Sequence, residues 1–392
     1  MILRISILLL LLLAIPAFYL DRHFRLKNHR FLRGGLWGLT AALLAFTVWF
    51  CAVERFTDTE SQVKGIYLMV LLTWGVSALV FCALSALGSL WRHSRHRTAA
   101  RHTADITALI LALALAGCMI YGNQVGPGQL TVKHFTYRSP LVPQSFKDFR
   151  IVQLADLHVG TFSGRPELLE RLTDSVLALR PDLIVFTGDM VNYHSGELDA
   201  ALPFLRKLKA PFGIYAVLGN HDYMNYRQWP SAATRQQDVE RLVRLEQAMG
   251  WHVLRNAHAI VRKDADSLAI IGVENDGQPP FPALADLPRA VRGLQPECFS
   301  ILLSHAPTHW RRSVLPETDI PLMLSGHTHG MQLRIGDFSP AQWIYPEWGG
   351  PYHESVRGKE RTLYVSLGFG EVLLPFRLGA WPEINVITLQ CE

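Results

Sequence analysis

The chain lacks several features that would each have fixed its class. It has only five cysteines in 392 residues. Cys51, Cys82 and Cys118 fall in apolar segments and read as packing or lipid-side residues. Cys298 and Cys391 leave at most one bridge, so no disulfide framework holds the fold. Internal repeats, heptad arrays and low-complexity tracts are also missing, which excludes repeat and fibrous architectures. A basic surface is absent where a nucleic-acid binder would need one. The formal charge is +5, yet residues 1–122 hold 12 Lys/Arg against 5 Asp/Glu, a balance of +7. The 26 basic and 28 acidic residues that remain leave residues 123–392 at −2. Nucleic acid is therefore not an expected partner.

What the chain has in excess is apolar sequence. Hydrophobic residues make up 49% and the mean hydropathy is +0.15. The excess is concentrated near the N-terminus, in runs over residues 2–20, 34–53, 65–91 and 106–122. These predict a transmembrane region of about four helices over residues 1–122, with the lipid bilayer as partner. The uncharged run 65–90 is too long for a buried helix of a soluble bundle. Loop charge sets the orientation. The first loop, 21–33, carries Arg22, Arg25, Lys27, Arg30 and Arg33. The third, 92–105, carries Arg92, Arg95, Arg97 and Arg101, whereas the second, 54–64, is mixed. The positive-inside rule puts loops one and three in the cytoplasm, so everything after Gly122 is expected outside the cytoplasmic membrane. A cleaved signal peptide beginning at Arg4 is the alternative, but it would leave the first basic loop outside. Apart from Arg4 the spans hold no charged residue, which argues for an anchor and against an ion pathway.

Residues 123–148 read as a linker containing an alternating edge strand at 130–138. From residue 149 the pattern becomes strand, loop, helix. Strands are predicted at 150–155, 183–187, 213–218, 268–273, 299–304, 321–325, 363–367 and 384–389. Helices are predicted at 166–179, 197–208 and 234–249, with a weaker one at 283–292 interrupted by Pro288. The alternation predicts an α/β layered domain over 149–392, its last strands antiparallel.

The chemistry sits at the strand ends, where open α/β sheets place their ligands. The first strand gives Asp156-Leu157-His158 and the second Gly188-Asp189-Met190-Val191-Asn192. The third, apolar from Gly213 to Leu218, gives Gly219-Asn220-His221-Asp222. Later ends give Ser304-His305 and Gly326-His327-Thr328-His329-Gly330. Singly, each of these is explained by a capped turn or a hydrogen-bonded core histidine. Together they supply Asp, Asn and His donors that suit borderline divalent metals such as Mn, Fe or Zn. Two carboxylates, one amide and four histidines exceed what one ion needs, and a bridging carboxylate between two ions would explain the surplus.

This order, D-x-H, G-D-x-x-N, G-N-H-D, a lone His and G-H-T-H-G, resembles the calcineurin-like metallophosphoesterase family over residues 149–392. The late segment Gly368-Phe369-Gly370, Leu374-Pro375-Phe376-Arg377 and Pro382-Glu383-Ile384 is similar to its membrane-associated bacterial phosphodiesterase branch. The resemblance implies a four-layer α/β-β/α sandwich. It implies one ion on Asp156, His158 and His329, a second on Asn220, His305 and His327, and Asp189 bridging them. His221 would be the proton donor to the leaving oxygen with Asp222 behind it as orienter; Arg377 would either touch a substrate phosphate or form a structural pair with a carboxylate. Tyr193, His194, Tyr226 and Trp229 would line the pocket. The expected activity is hydrolysis of a phosphoester, phosphodiester or pyrophosphate, presented on a membrane lipid or envelope precursor. The alternative is a sensor or assembly protein that binds metal or phosphate without turnover.

Overall fold

Alternation of apolar side chains along short strands builds two sheets that share one inner face. The computed structural model describes residues 2–52, 58–89, 97–279 and 281–392. Parts of the expected loops 54–64 and 92–105, and the end of the third expected span, fall outside them. The chain divides into a helical unit, residues 1–124 with 373–376, and a second unit, residues 125–372 with 377–392.

In the helical unit, α1 (Ile2–His23), α2 (Arg30–Ala52), α3 (Asp58–Ser89) and α4 (Arg97–Gln124) follow one another. Among the described residues three stretches, Arg30–Phe50, Gly65–Gly88 and His102–Gln124, are long and apolar enough to cross a membrane; the expected first span, 2–20, is not one of them. Phe81 and Cys82 of α3 pack against Ala108 and Ala112 of α4, with Tyr19 and Leu20 of α1 alongside. One polar cluster joins these three helices: His23 Nε2 lies 3.0 Å from Asp105 Oδ2, Ser85 donates to Asp105, and Tyr19 donates to Ser85 at 2.9 Å. Residues 373–376 belong to this unit, where Asn123 Nδ2 donates to the Pro375 carbonyl at 2.5 Å.

The second unit begins with β1 (Thr131–Arg138), β2 (Arg150–Leu154), α5 (Pro166–Ala178), β3 (Leu183–Phe186), α6 (Leu202–Leu205), β4 (Ile214–Ala216), α7 (Ala232–Ala248) and β5 (His252–Val253). It continues through β6 (Ala257–Lys263), β7 (Asp266–Gly272), α8 (Leu287–Ala290), β8 (Ser300–Leu303), α9 (Leu315–Glu317), β9 (Leu322–Ser325), β10 (Gly350–Val356), β11 (Lys359–Val365) and β12 (Glu383–Gln390). The strand orders are β1-β12-β2-β3-β4-β5 and β10-β11-β9-β8-β7-β6. Ile151, Leu183, Val185, Ile270, Ile301, Leu303, Leu324 and Ile387 meet between the sheets. The alternate residues Val152, Leu154, Ile184 and Phe186 face Leu169, Leu172, Val239 and Leu242 of α5 and α7. On the far side Ile271, Leu302, Met323 and Val365 are covered by Leu287, Trp310 and Leu315. Helix, sheet, sheet and helix thus form four layers, as in the α/β metallophosphoesterase fold.

Every strand predicted from sequence is present within a few residues. The expected edge strand at 130–138 is β1, paired in parallel with β12, so it belongs to the sheet and is no free linker. Helix 197–208 is instead a 3-10 turn, Ser195–Ala200, followed by α6, which starts at the turn containing Pro203. The stretch 283–292 keeps only α8, with Pro288 in its first turn. Cys298 and Cys391 are free thiols.

Candidate metal centre

Parallel pairing of β2 with β3 and β3 with β4 brings three of the loops side by side. The pairing of β8 with β9 brings the loops holding His305, His327 and His329 together in the same way. The polypeptide bends sharply at each loop. Asp156, His158, Asp189, His327 and His329 all have left-handed backbone, with φ of 51°, 43°, 62°, 79° and 50°. Each such residue costs ~1–3 kcal/mol and persists only where its surroundings enforce it, a pattern typical of functional sites. Two glycines allow the carboxylates to sit where they do. A Cβ on Gly326 would lie 2.3 Å from Asp156 Oδ2, and one on Gly219 would lie 2.2 Å from Asp189 Oδ1.

The side chains form two groups, Asp156 with His158 and His329, and Asp189 with His305 and His327. In the first, His158 Nε2 approaches His329 Nε2 at 3.2 Å, and His329 Nε2 lies 3.4 Å from Asp156 Oδ1. In the second, His327 Nδ1 lies 3.3 Å from His305 Nε2, which is 3.2 Å from Asn220 Oδ1. Asp189 stands between them. Its Oδ1 accepts the His221 N–H at 2.8 Å, while Oδ2 lies 3.6 Å from His158 Nε2 and 3.1 Å from His305 Nε2. One oxygen is thus pinned by the backbone and the other faces both groups.

Several partners aim these donors inward. The His305 Nδ1–H donates to the Thr187 carbonyl at 2.7 Å, which turns Nε2 toward Asp189 and Asn220. Asn220 Nδ2 donates to the Tyr226 hydroxyl at 2.8 Å and so turns its Oδ1 toward His305. The His327 N–H donates to both oxygens of Asp156, at 3.0 and 3.1 Å. Burial pushes the pKa of His158 and of His327 down to about 3, keeping both rings neutral. Burial raises Asp156 to about 7, with His305 opposing and Asp189 adding to the rise. At His305 burial works against protonation, yet Asp189 and Asp156 raise it to about 9. The ring nitrogens of His158, His329 and His305, the Asn220 oxygen and two buried carboxylates converge at 3.2–3.6 Å, a donor set that divalent cations would satisfy. The residues fit two metal ions.

His221 lies outside both groups. Its Nδ1–H donates to the Asn192 carbonyl at 2.9 Å, its ring stacks on Tyr226 with centroids 4.1 Å apart, and it stands edge-on to His158. Burial holds its pKa below the usual histidine value, with Asp189 opposing.

Two expected roles are corrected. Asp222 does not orient His221. Its Oδ2 accepts the N–H groups of Asp189 and Gly219 at 2.8 and 2.9 Å, and Oδ1 those of Met190 and Val191 at 2.8 and 3.2 Å. The carboxylate points away from the imidazole and ties the second motif loop to the third; the Asn192 carbonyl is the orienter. Arg377 does not face a substrate. Its guanidinium is fully buried and donates to the carbonyls of Gly370, Ala380 and Leu367 and to His329 Nδ1. Among the expected pocket aromatics Tyr226 is at the centre, whereas Trp229 donates to the Met224 carbonyl and His194 caps the following turn. Sequence reasoning missed Tyr345, whose hydroxyl lies 3.0 Å from His327 Nε2. It follows the motif by 15 residues in an irregular segment and carries no local signal.

Comparison with known proteins agrees with this geometry. Residues 149–331 match the family model described as calcineurin-like phosphoesterase. Residues 3–126 match the one described as probable calcineurin-like phosphoesterase, transmembrane domain. The uncharacterized metallophosphoesterase YkuE of Bacillus subtilis is 34% identical over 292 residues, 71% of this chain and 92% of that protein. The transmembrane protein with metallophosphoesterase domain of Danio rerio is 29% identical over 83% of this chain and 72% of its own length. The UDP-2,3-diacylglucosamine pyrophosphatase LpxG of Chlamydia trachomatis is 27% identical over 68% of this chain and 91% of its own.

Proposed function

Because the chain belongs to the calcineurin-like metallophosphoesterases and is a membrane phosphoric ester hydrolase, we propose that its substrate is a phosphoester or pyrophosphate carried by a membrane lipid or lipid-linked envelope precursor. Asp156, His158 and His329 would hold one divalent ion, Asn220, His305 and His327 would hold the other, and Asp189 would be shared between them. The single observation that carries this reading is the position of Asp189 Oδ2 between His158 and His305. The nitrogen and oxygen donor set suits Mn, Fe or Zn. Bound there, such ions would supply charge stabilisation for a phosphoryl group and lower the pKa of a bound water.

The chain's own groups do the rest. With Nδ1–H held by the Asn192 carbonyl, Nε2 is the atom at which His221 would take up a second proton, and from that imidazolium form it would deliver the proton to the leaving oxygen. Tyr226 holds the His221 ring in place by stacking, and its hydroxyl accepts a hydrogen bond from Asn220 Nδ2. A sensor that only bound metal or phosphate would have no use for a proton donor beside the ligands.

A lipid-borne substrate is supported by the anchoring itself, since one span already holds a protein in the bilayer and this chain belongs with a transmembrane family. The relative named as a diacylglucosamine pyrophosphatase points the same way. Loop charge supports an outward-facing catalytic unit on the cytoplasmic membrane. The test is a panel of lipid and nucleotide phosphoesters with metal-reconstituted full-length protein. A lipid phosphoester in bilayers is expected to be cleaved with higher efficiency than its water-soluble headgroup analogue. Equal turnover of the two would remove the lipid reading and leave a surface-retained general phosphoesterase.

A further inference from the structure

The stretch from Met331 to Ile344, directly after the histidine motif, displays apolar side chains to solvent. Met331 is 40% exposed, Ile335 66%, Phe338 39%, Trp343 74% and Ile344 60%. Among the described residues of the second unit, only Val125, Val132, Leu141 and Leu284 are also large, apolar and similarly open. More than half of that surface therefore falls within 14 residues. Single exposed apolar residues are ordinary, but a concentration of this kind marks a contact surface.

The segment is no loose loop. Arg334 N–H donates to the Leu378 carbonyl at 2.8 Å, and the Leu378 N–H donates to Gln332 at 2.9 Å. The Gln332 side chain accepts from Val372 N–H at 2.7 Å, and Ser339 Oγ donates to the Gly330 carbonyl at 2.6 Å. Ile335 and Phe338 close a turn on each other, and Phe338 meets Trp343 edge-on at 5.5 Å. The charged pair within the stretch, Arg334 and Asp337, is matched at 3.5 Å. A fixed backbone therefore holds five apolar side chains outward with no net charge among them. Its two ends are the metal centre: His329 and Gly330 lead into it, and Tyr345, which closes it, reaches His327.

We propose that residues 331–344 form a bilayer-contact platform, with Trp343, Ile344, Ile335 and Phe338 seated at the boundary between headgroups and acyl chains. Trp and Phe prefer that depth, and aliphatic neighbours bury there. The occupant follows from the tether. Only residues 125–130 separate the end of α4 from the start of β1, about 20 Å when fully extended. An apolar surface on so short a tether meets lipid at high effective concentration before it meets any dilute partner. The platform deepens the lipid-substrate reading, which its kinetic arm presupposes; its membrane arm does not depend on that reading.

The test uses full-length protein in lipid nanodiscs. The emission that distinguishes wild type from Trp343→Phe isolates the residue while keeping an aromatic in place. Acyl chains brominated near the headgroup are expected to quench that component strongly, and its maximum is expected to lie to the blue. A red-shifted, unquenched component would overturn the platform, because Trp343 would then be in water. A blue-shifted but unquenched component would overturn it too, in favour of a second protein copy on this face. In the kinetic arm the double variant Trp343→Ser, Ile344→Ser is expected to raise KM for a lipid phosphoester about tenfold, with kcat and the turnover of a nitrophenyl phosphodiester unchanged. If both substrates lose activity equally, the segment serves the fold of the site and the kinetic claim falls. If quenching is strong but no lipid phosphoester is cleaved, the proposed substrate class fails while the platform stands.

Discussion

Arg377 Nη2 lies 3.0 Å from His329 Nδ1, with the rest of the guanidinium bound to the carbonyls of Leu367, Gly370 and Ala380. This contact falls on Nδ1, while Nε2 faces Asp156 and His158, so the buried guanidinium packs behind the ring and does not recognise substrate. Burial lowers the Arg377 pKa to about 10, still a cation at neutral pH. Arg377→Met would strand three buried carbonyls at ~1–3 kcal/mol each. The variant is expected to melt at lower temperature and to hold less metal, with KM for a soluble phosphoester unchanged in the fraction that remains loaded. A raised KM with stability and metal content intact would show instead that the guanidinium touches the phosphate.

Asp222 is expected to behave as a structural anchor. In Asp222→Asn one oxygen that accepts two N–H groups becomes an NH₂ facing them. Hydrogen bonds to a charged acceptor are worth ~1.5–3 kcal/mol each. Unfolding should therefore be several kcal/mol easier, and both metal groups should loosen together. A variant with native stability and only a slower proton-transfer step would restore Asp222 to the role of orienter.

His221→Ala should retain both ions and lose ~10²–10⁴-fold in rate on substrates with poor leaving groups. A nitrophenolate leaving group needs little protonation and should suffer much less. Equal losses on both substrates, accompanied by falling metal content, would identify His221 as a ligand.

Glu246 of α7 is fully buried, and neither carboxylate oxygen has a hydrogen-bond partner. Burial, reinforced by Asp222, raises its pKa well above 4.5. Between 4.5 and that raised value the folded chain binds more protons than the unfolded one, so this group's contribution to stability falls as pH rises. Glu246→Gln removes the titration. The melting temperature of the variant relative to wild type is expected to climb between pH 5 and pH 8; a difference independent of pH would contradict the assignment.

Legibility followed burial. Strands with two covered faces, such as 183–187 and 299–304, announce themselves as apolar runs. The strands not predicted, β5, β6 and β10, are all edges, where polar residues interrupt the pattern. β10 even carries Pro351, which an edge tolerates. The proposed ligand residues were legible because each motif sits where a strand stops. Asp222 and Arg377 were misread for one reason. Adjacency to His221, or to a motif, says nothing of direction, and in the 3-10 turn His221–Tyr223 successive side chains point apart. The Asn192 carbonyl that orients His221 has no side-chain signature at all.

The central claim is that Asp189 Oδ2 joins two metal groups into one reacting centre. Its most direct test is metal content per chain, measured by elemental analysis of the reconstituted full-length protein beside Asp189→Ala. Two ions per wild-type chain are expected, with loss of metal and of phosphoester hydrolysis in the variant, since removing the bridge leaves two cations to repel each other. Saturation of the wild type at a single ion, or an Asp189→Ala variant that keeps both ions and full activity, would contradict the account.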